Sequence, residues 1–428
     1  MATAIFETNI ATFLQKALHW SKGFKQVCLF QSNGFQDQYS SVEALLCLGS
    51  KEIFEASEGN AFKKLSSFLS RNHNLLIPGF FSYDLKNELE DLHTNHPNYL
   101  GFPDANFFIP EIIIQFKKDT VSIESENDPN EIFHQIIELE SFEKSNVYSG
   151  KIKSRMSKEQ YLSAFDAMQS HIQRGDIYEA NLCQEFYDDD AELTNPESLF
   201  ETLNLHSPTP FSSFIKIDDK YILSASPERF LAKRNETLIS QPIKGTAARG
   251  KNELEDNLLK AQLRNNPKEI AENVMIVDLV RNDLTRSAIP GSVEVTEKLG
   301  IYSFKHVHQM ISTVCCKKDP RLSNIDVIMN TFPAGSMTGA PKLSAMQLCE
   351  RYENSRRGVY SGAIGYFAAN GDFDFNVVIR TILYNKTNKY LSFHTGSAIT
   401  IDANADYEYN ECLTKASAIL KSLDSSIE

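Results

Sequence analysis

The chain has 428 residues and lacks long apolar runs, cysteine motifs and an N-terminal leader pattern. No stretch approaches the roughly 18 apolar residues that a membrane-spanning helix requires, so no membrane association is expected. The seven cysteines are scattered without a Cys-x-x-Cys pair, which argues against a disulfide framework and a thiolate zinc site. Reduced thiols are typical of the cytosol, and the N-terminal segment does not resemble a signal peptide. These absences predict a soluble cytoplasmic protein.

Positive charge is also scarce, because 43 Lys and Arg stand against 56 Asp and Glu, a formal net charge of −13. Proteins that bind nucleic acid usually carry a basic face, so we expect no nucleic-acid partner. A small anionic substrate is still compatible with this charge, since a few local cations or one metal ion outweigh the global field. The hydrophobic fraction of 42% is that of a folded globular protein.

Segments with strand and helix patterns are interspersed without a strict period, and no internal repeat is present. Short apolar runs before residue 150, such as VCLF, predict buried strands. A capping box at Ser157 predicts a helix that ends at Gly175. A helical zone at 253–285 and a last helix with Asp406 as its N-cap follow. The mixture favours an α+β fold over a doubly wound sheet or a barrel.

Two Glu-x-x-Glu segments, far apart in the sequence, are candidate metal sites. One contains Glu269 and Glu272, and the other contains Glu408 and Glu411. Spacing i, i+3 places both carboxylates of a pair on one helix face. Two such faces that meet would offer the oxygen ligands that Mg²⁺ prefers. The alternative is two solvated acidic helix starts, which the helix dipole stabilises.

The segment FPAGSMTGAPKL, residues 332–343, combines a Gly-rich loop with a helix start. Gly335 and Gly339 free the backbone, and Pro341 is expected to open a helix whose unpaired amides can bind an anion. A triphosphate-binding loop is excluded, because Pro341 removes a donor directly before Lys342. A carboxylate ligand fits better, and an ordinary turn into a helix is the alternative.

Glu228 and Lys244 lie on two predicted strand ends joined by a hairpin, so they can face each other. A lysine beside a carboxylate in a partly dry pocket can lose its proton and act as a nucleophile; otherwise the two residues form a structural ion pair. His306 and His308 would share one face of a strand. No third soft ligand follows at a recognisable spacing, which favours a single catalytic or hydrogen-bonded histidine over zinc.

Arg380 stands within the apolar run VVIRTIL, which predicts a strand. An unpaired guanidinium would be costly there, so Arg380 requires a carboxylate, either from the protein or from a ligand. Gly396 lies in the run HTGSAIT, where backbone amides can approach a bound group closely.

Nine strings, in order along the chain, together resemble the chorismate-utilising enzymes, a family of anthranilate, aminodeoxychorismate, isochorismate and salicylate synthases. The strings are GDIYEANLCQEF, SPERF, PIKGT, AENVMIVDLVRNDL, HVHQMIS, FPAGSMTGAPK, RRGVYSGAIGYF, IRT and EYNE. The resemblance covers roughly residues 150–420. It implies an anthranilate synthase component I-like fold, in which two packed, mainly antiparallel sheets carry outer helices around a central cleft. Residues 1–150 are expected to be woven into this fold, and residues 151–428 to form the chorismate-binding catalytic region.

Two strings resemble the aminodeoxychorismate synthase component I branch: PIKGT, which contains Lys244, and GSMTGAPK, which contains Thr338. The resemblance implies that neutral Lys244 attacks ring carbon 2 of chorismate and that ammonia then adds at carbon 4. The product would be 4-amino-4-deoxychorismate, for 4-aminobenzoate and folate synthesis. Glu228 matches the family's acid/base partner of this lysine. Anthranilate synthesis, alone or in addition, and a non-catalytic carboxylate-binding subunit are the alternatives.

The resemblance also assigns the remaining site residues. Glu272 and Glu411 would hold Mg²⁺, with Glu269 and Glu408 acting directly or through water. Residues that match substrate-binding positions are Tyr360, Arg380, Gly396 and Gly339, with Thr338 in the loop beside the ring. His308 matches a histidine tied to aromatisation in the anthranilate branch.

The chain departs from the family pattern at two positions. Glu179 stands where a glutamine is usual in this branch, and Arg249 would have to compensate for an arginine that often follows PIKGT. No Gly-x-Cys-x-Gly nucleophile loop occurs in the sequence. Ammonia is therefore expected from a separate glutamine amidotransferase subunit.

Overall fold

The computed structural model describes residues 1–40, 42–57, 59–140 and 148–428. In these residues two large β-sheets lie between layers of helices. The strands are β1 (Ala2–Glu7), β2 (Gln26–Gln31), β3 (Ala44–Leu48), β4 (Glu52–Ala56), β5 (Ile77–Phe81), β6 (Ala105–Ile109), β7 (Ile112–Lys117), β8 (Thr120–Ser125), β9 (Tyr148–Ser149), β10 (Lys153–Ser154), β11 (Glu179–Asp188), β12 (Glu192–Leu193), β13 (Phe211–Ile217), β14 (Lys220–Ser226), β15 (Arg229–Arg234), β16 (Thr237–Gln241), β17 (Ile243–Ala248), β18 (Glu294–Ser303), β19 (Val307–Lys317), β20 (Gly339–Ala340), β21 (Ala363–Phe367), β22 (Phe373–Val377), β23 (Thr381–Asn385) and β24 (Tyr390–Ile399). The α-helices are α1 (Ile10–Trp20), α2 (Ala61–Arg71), α3 (Lys86–Leu89), α4 (Pro129–Ile137), α5 (Lys158–Arg174), α6 (Pro196–His206), α7 (Glu253–Arg264), α8 (Pro267–Thr285), α9 (Asn324–Thr331), α10 (Lys342–Tyr352) and α11 (Ala405–Ser422).

The larger sheet has twelve strands in the order β1-β8-β7-β3-β2-β13-β14-β23-β24-β11-β10, with the short β20 paired to β11. The smaller sheet has ten strands in the order β17-β19-β16-β15-β22-β21-β5-β6-β4, with β18 paired to β19. Neighbouring strands run antiparallel in both sheets. The prediction of an α+β fold with two antiparallel sheets and outer helices is confirmed.

Strands from the first 125 residues lie inside both sheets. In the larger sheet β2 pairs with β13, and in the smaller sheet β5 pairs with β21. The chain also crosses between the sheets at two places that matter for the site. It passes from β14 to β15 through Glu228, and from β22 to β23 through Arg380. The two crossings are joined by backbone hydrogen bonds, from Val377 to Glu228 and from Ala225 to Arg380.

A hydrophobic core fills the space between the two sheets. Cys28 and Phe30 of β2 enter it from the larger sheet, and Phe80 of β5 enters it from the smaller sheet. The alternate residues Val27 and Leu29 point to the opposite side, into a second core under α1, α4 and α6. Both faces of β2 are therefore buried, which is why VCLF reads as a continuous apolar run rather than an alternating one.

Helices α8 and α11, which both have acidic residues in the first turn, pack on the two sheets. Helix α8 packs its apolar face on the smaller sheet through Ile276 and Val280, and it contacts β17 and β20. Helix α11 packs on β24 of the larger sheet, where Cys412 is fully buried. No helix in the described ranges is long and apolar enough to cross a membrane.

The predicted helix ends are largely confirmed. Helix α5 begins at the capping box of Ser157 and ends at Gly175, which adopts the left-handed conformation with φ 81°. Helix α11 differs, because Asn404 rather than Asp406 is its N-cap and accepts a hydrogen bond from the Tyr407 amide at 3.0 Å. Asn404 precedes the first helical residue and is placed to cap, while Asp406 lies inside the first turn, where an acidic residue is stabilised by the helix dipole.

The core between the sheets gives a test of the fold. Phe80→Ala removes a fully buried ring that packs edge-on against Phe102, with 6.1 Å between ring centroids. We expect the free energy of unfolding to fall by about 3–5 kcal/mol, because the cavity cannot collapse between two sheets. Ile5→Ala, on an edge strand where the side chain is 70% exposed, is the control and should change stability by less than about 0.5 kcal/mol. Denaturant unfolding measures both values; equal losses would contradict this core.

Candidate active site

Lys244 lies in β17 with its side chain directed at the first residue of β11. Its Nζ donates a hydrogen bond to Oε1 of Glu179 at 2.8 Å, and the two side chains are 12% and 1% exposed. Burial lowers the pKa of Lys244, but the charges of Glu179 and Glu272 outweigh it and leave the pKa above its ordinary value. The neutral Lys244 amine that the resemblance implies, supplied by burial or by Glu228 as proton acceptor, stays a prediction.

Glu228 lies close enough to influence Lys244 without contacting it. In the described residues Lys244 forms an ion pair with Glu179 and none with Glu228. The Glu228 side chain is buried, and burial raises its pKa to about 7 although the charge of Lys244 opposes the shift. Glu228 and Lys244, which were predicted to face each other, therefore interact through their charges without a direct contact. Sequence reasoning missed Glu179 as the direct partner, although its departure from the usual glutamine was a signal.

The two acidic helix starts meet, bridged by a lysine. Lys268 Nζ lies 3.1 Å from Oε1 of Glu408 and 3.7 Å from Oε1 of Glu272, so it joins α8 to α11. Glu411 pairs with Lys415 at 2.6 Å within α11. Glu408 is 1% exposed, and Glu272 is 8% exposed. Glu408 and Glu272 are therefore buried rather than solvated. Their contacts with Lys268, and the pair of Glu411 with Lys415, were not predicted.

The acidic cluster has the properties of a cation site that still requires ligand oxygens. Burial raises the pKa of Glu272 to about 7 and also raises the pKa of Glu269 and Glu408, whose ionised neighbour Glu411 adds to the effect. Oε1 of Glu272 is buried without a hydrogen-bond partner. Among the described residues no three His, Cys, Asp or Glu side chains form a ready-made metal cage. Mg²⁺ fits this donor set, because it takes one or two carboxylates and completes its shell with water and substrate oxygens.

The Gly-rich loop supports the backbone of Glu179. Gly339 and Ala340 form β20, which pairs with Glu179 and Ala180. Gly339 has φ 153°, and a Cβ there would lie 2.1 Å from the carbonyl oxygen of Glu179. Pro341 follows as the N-cap of α10, which confirms the predicted helix start. A glycine is needed at position 339 because the two backbones approach so closely.

Thr338 and Gly396 are held by protein contacts. The Thr338 side chain is fully buried, and its hydroxyl donates to the carbonyl oxygen of Gly335 at 3.0 Å. A Cβ on Gly396 would lie 2.6 Å from Sγ of Cys183, so the close neighbour of this glycine is a side chain of β11. The Gly396 carbonyl accepts a hydrogen bond from Lys415 at 2.9 Å, which ties β24 to the acidic cluster. Roles for Thr338 and Gly396 toward substrate stay predictions.

Arg380 carries a guanidinium group that no described carboxylate pairs with. It lies at a crossing between the sheets, with φ 53°, and not within a strand as predicted. Burial lowers its pKa, and Tyr360 and Glu411 oppose this shift from a distance. The Tyr360 ring is buried and stacks on His394 with 5.0 Å between centroids. Among the described residues no carboxylate forms an ion pair with Arg380, and a ligand anion as its partner stays a prediction.

His308 belongs to a separate hydrogen-bond network. Its Nε2 lies 2.9 Å from Asp256, and its Nδ1 lies 3.0 Å from Ser303. Asp256 also accepts from Nε of Arg249 at 2.7 Å, so Arg249 serves this network. His306 precedes β19 and is exposed, whereas His308 is buried, and the two share no face. The two histidines therefore do not form the pair that a zinc site would need, and a catalytic role of His308 stays a prediction.

The comparisons with known proteins agree with this architecture. The family model described as chorismate binding enzyme matches residues 16–421. The chain belongs to this family. The resemblance drawn from the sequence is confirmed, and the match reaches well into the first 150 residues, where the sequence strings were weak.

Several family members are similar over most of their length. Aminodeoxychorismate synthase component 1 of Escherichia coli (strain K12) is 35% identical over 351 residues, which are 81% of this chain and 76% of that protein. Anthranilate synthase component 1 of Thermus thermophilus is 32% identical over 361 residues, 81% of this chain and 77% of that protein. The crystal structure of anthranilate synthase component I from Streptococcus pneumoniae has a TM-score of 0.78 at 25% identity and covers 91% of this chain and 95% of that one. The chain is accordingly an enzyme of the chorismate-binding family.

The burial of Glu228 predicts a pH-dependent stability. Its pKa rises from 4.5 to about 7 on folding, so its contribution to stability is complete below pH 4.5 and is lost as pH increases through 7. Relative to Glu228→Gln, whose amide does not ionise, the wild type should lose up to about 3 kcal/mol between pH 5 and pH 8. Denaturant unfolding at both pH values measures this difference. Glu236→Gln, an exposed change in the same hairpin, is the control, and an equal pH dependence of all three proteins would contradict the burial effect.

Proposed function

We propose that the protein is the component I subunit of an aminodeoxychorismate synthase. It converts chorismate and ammonia to 4-amino-4-deoxychorismate through a covalent intermediate on Lys244, for 4-aminobenzoate and folate synthesis. The observation that carries the proposal is the buried Lys244 amine, which lies beside acidic helix starts and within the influence of Glu228. The names and identities of the relatives support this branch.

The chemistry explains why a buried lysine is useful. Displacement of a hydroxyl by dilute ammonia is slow, because hydroxide is a poor leaving group and two reactants must meet. A lysine held against the ring turns the first displacement into an intramolecular step, and ammonia then displaces the lysine. The burial of the Lys244 amine and its contact with Glu179 support this role.

Two different groups would bind the two chorismate carboxylates: a cation of the protein for one, and a metal ion held by glutamates for the other. The unpaired guanidinium of Arg380 would bind one of them with charge-assisted hydrogen bonds, beside the ring of Tyr360. Glu272 and Glu411 would hold Mg²⁺, with Glu269 and Glu408 in direct contact or through water. When bound, the ion neutralises the ring carboxylate, which these glutamates would otherwise repel.

Ammonia would come from a glutamine amidotransferase subunit. The name component 1 of the relatives supports a two-subunit enzyme. Anthranilate synthesis is the second candidate, since an anthranilate synthase component 1 is 32% identical. Lys244 favours the first, because a nucleophilic lysine has a defined task when the amino group replaces the 4-hydroxyl.

The reaction itself is the first test. Wild-type protein with chorismate, Mg²⁺ and ammonium should consume chorismate and form 4-amino-4-deoxychorismate without anthranilate fluorescence. Lys244→Ala should reduce the rate by roughly 10³-fold or more, because the covalent route is lost. Without ammonium, mass spectrometry should find a chorismate-derived adduct on the wild type and not on the variant. Lys298→Ala, an exposed lysine, is the control; anthranilate as the main product would contradict the proposal.

The unpaired guanidinium gives a second test. Arg380→Met should raise the KM for chorismate by about 10–100-fold, the value of one charge-assisted contact. It should not lower the melting temperature, because it removes a desolvated charge that has no protein partner. Arg229→Met is the matched control, since Arg229 is buried and paired with Asp37 and Asp374, and its loss should cost about 3–5 kcal/mol of stability. Comparable destabilisation of both variants would show that the protein itself pairs Arg380.

A further inference from the structure

Glu179 is the carboxylate that contacts the reactive amine. Oε1 accepts the hydrogen bond from Lys244 at 2.8 Å, and Oε2 is buried without any hydrogen-bond partner. The side chain is 1% exposed, so no bulk water competes for its lone pairs. No other donor among the described side chains occupies this carboxylate, and it can take a proton from the amine without breaking another bond.

The sheet holds Glu179 in a fixed position. Its Cα pairs with that of Ala340 across β20, and the Tyr178 amide donates to the Ala340 carbonyl at 2.6 Å. On the other side of β11 the next residue, Ala180, pairs with Ile399 of β24. Since Lys244 lies on a strand of the other sheet, the two side chains meet across the cleft from two rigid layers. A proton transfer between them needs no movement of the backbone.

Glu228 is suited to a different task from that of Glu179. It does not contact the amine in the described structure, and burial raises its pKa to about 7, so a large fraction is protonated near neutral pH. A protonated carboxyl group can donate to a departing hydroxyl but cannot accept the proton of the lysine.

We infer that Glu179 is the direct proton acceptor of Lys244. The inference rests on the proposed function. The family pattern does not supply it, because a glutamine is usual at position 179 and an amide cannot accept this proton.

The steps balance in atoms and charge. The Lys244 ammonium gives one proton to the Glu179 carboxylate, and exclusion of water by the bound substrate favours this neutral pair over the ion pair. The nitrogen lone pair forms the bond to ring carbon 2, both ring double bonds shift, and the bond from carbon 4 to its oxygen breaks. The oxygen takes the Glu228 proton and leaves as water. Ammonia then bonds to carbon 4, the double bonds shift back and the bond from carbon 2 to Lys244 breaks. The released amine recovers its proton from Glu179, and the new ammonium group at carbon 4 returns a proton to Glu228.

The test is the pH profile of Glu179→Gln, an isosteric change. The amide still accepts the hydrogen bond of Lys244 but takes no proton, so kcat at pH 7 should fall about 10²–10⁴-fold with the KM for chorismate nearly unchanged. The amine must then lose its proton to solvent. The logarithm of kcat should therefore rise by about one unit per pH unit from pH 6 to pH 9, where the wild type is much flatter. Adduct formation without ammonium should slow by the same factor.

A matched control separates this role from a structural one. Glu185→Gln changes another buried carboxylate of β11, which pairs with Arg155 at 2.9 Å and lies six residues from Glu179. It should keep the wild-type kcat and pH profile. If Glu179→Gln matches the wild type, or loses activity with an unchanged pH profile, the inference is wrong while the proposed function stands. A wild type that leaves chorismate unreacted would instead contradict the proposed function and the inference with it.

Discussion

A buried ammonium group is stable only beside negative charge, and this requirement shapes the centre of the molecule. Lys244 belongs to the smaller sheet and Glu179 to the larger one, so their ion pair connects the two layers across the cleft. Glu272, from the helix outside the smaller sheet, adds a second carboxylate nearby. The charges that hold the lysine in position also keep it protonated.

Two further charged residues lie where the chain crosses from one sheet to the other. Residues at a crossing lie between a strand of one sheet and a strand of the other. Glu228 and Arg380 occupy such crossings, and backbone hydrogen bonds hold the crossings next to each other. One brings a carboxyl group with a raised pKa, and the other brings a cation that no carboxylate of the described residues pairs with.

Much of this architecture could be predicted because the responsible signals are local. The apolar run at β2 indicates a strand buried on both faces, and the Ser157 capping box sets the start of α5. The i, i+3 spacing of Glu269 and Glu272 places both on one side of α8, whatever that helix packs against. Motif order then identified the family. That Arg380 needs a carboxylate stays a prediction. Its position outside the strands was not predicted, because a crossing is defined by which sheet each neighbouring strand joins.

The contact between Glu179 and Lys244 could not be derived from local patterns, since the residues are 65 positions apart and on different sheets. The bridge from Lys268 to Glu408 was missed for the same reason, as it joins two helices from distant parts of the chain. In both cases the sequence showed the charged groups and not their distances. The glutamate at position 179 nevertheless has a clear physical consequence. A glutamine there would accept the same hydrogen bond but add no charge, so the lysine would be easier to deprotonate and would have no acceptor in contact. A carboxylate at this position makes the lysine more basic and supplies that acceptor, so a change of one residue alters how the proton is handled without altering the fold.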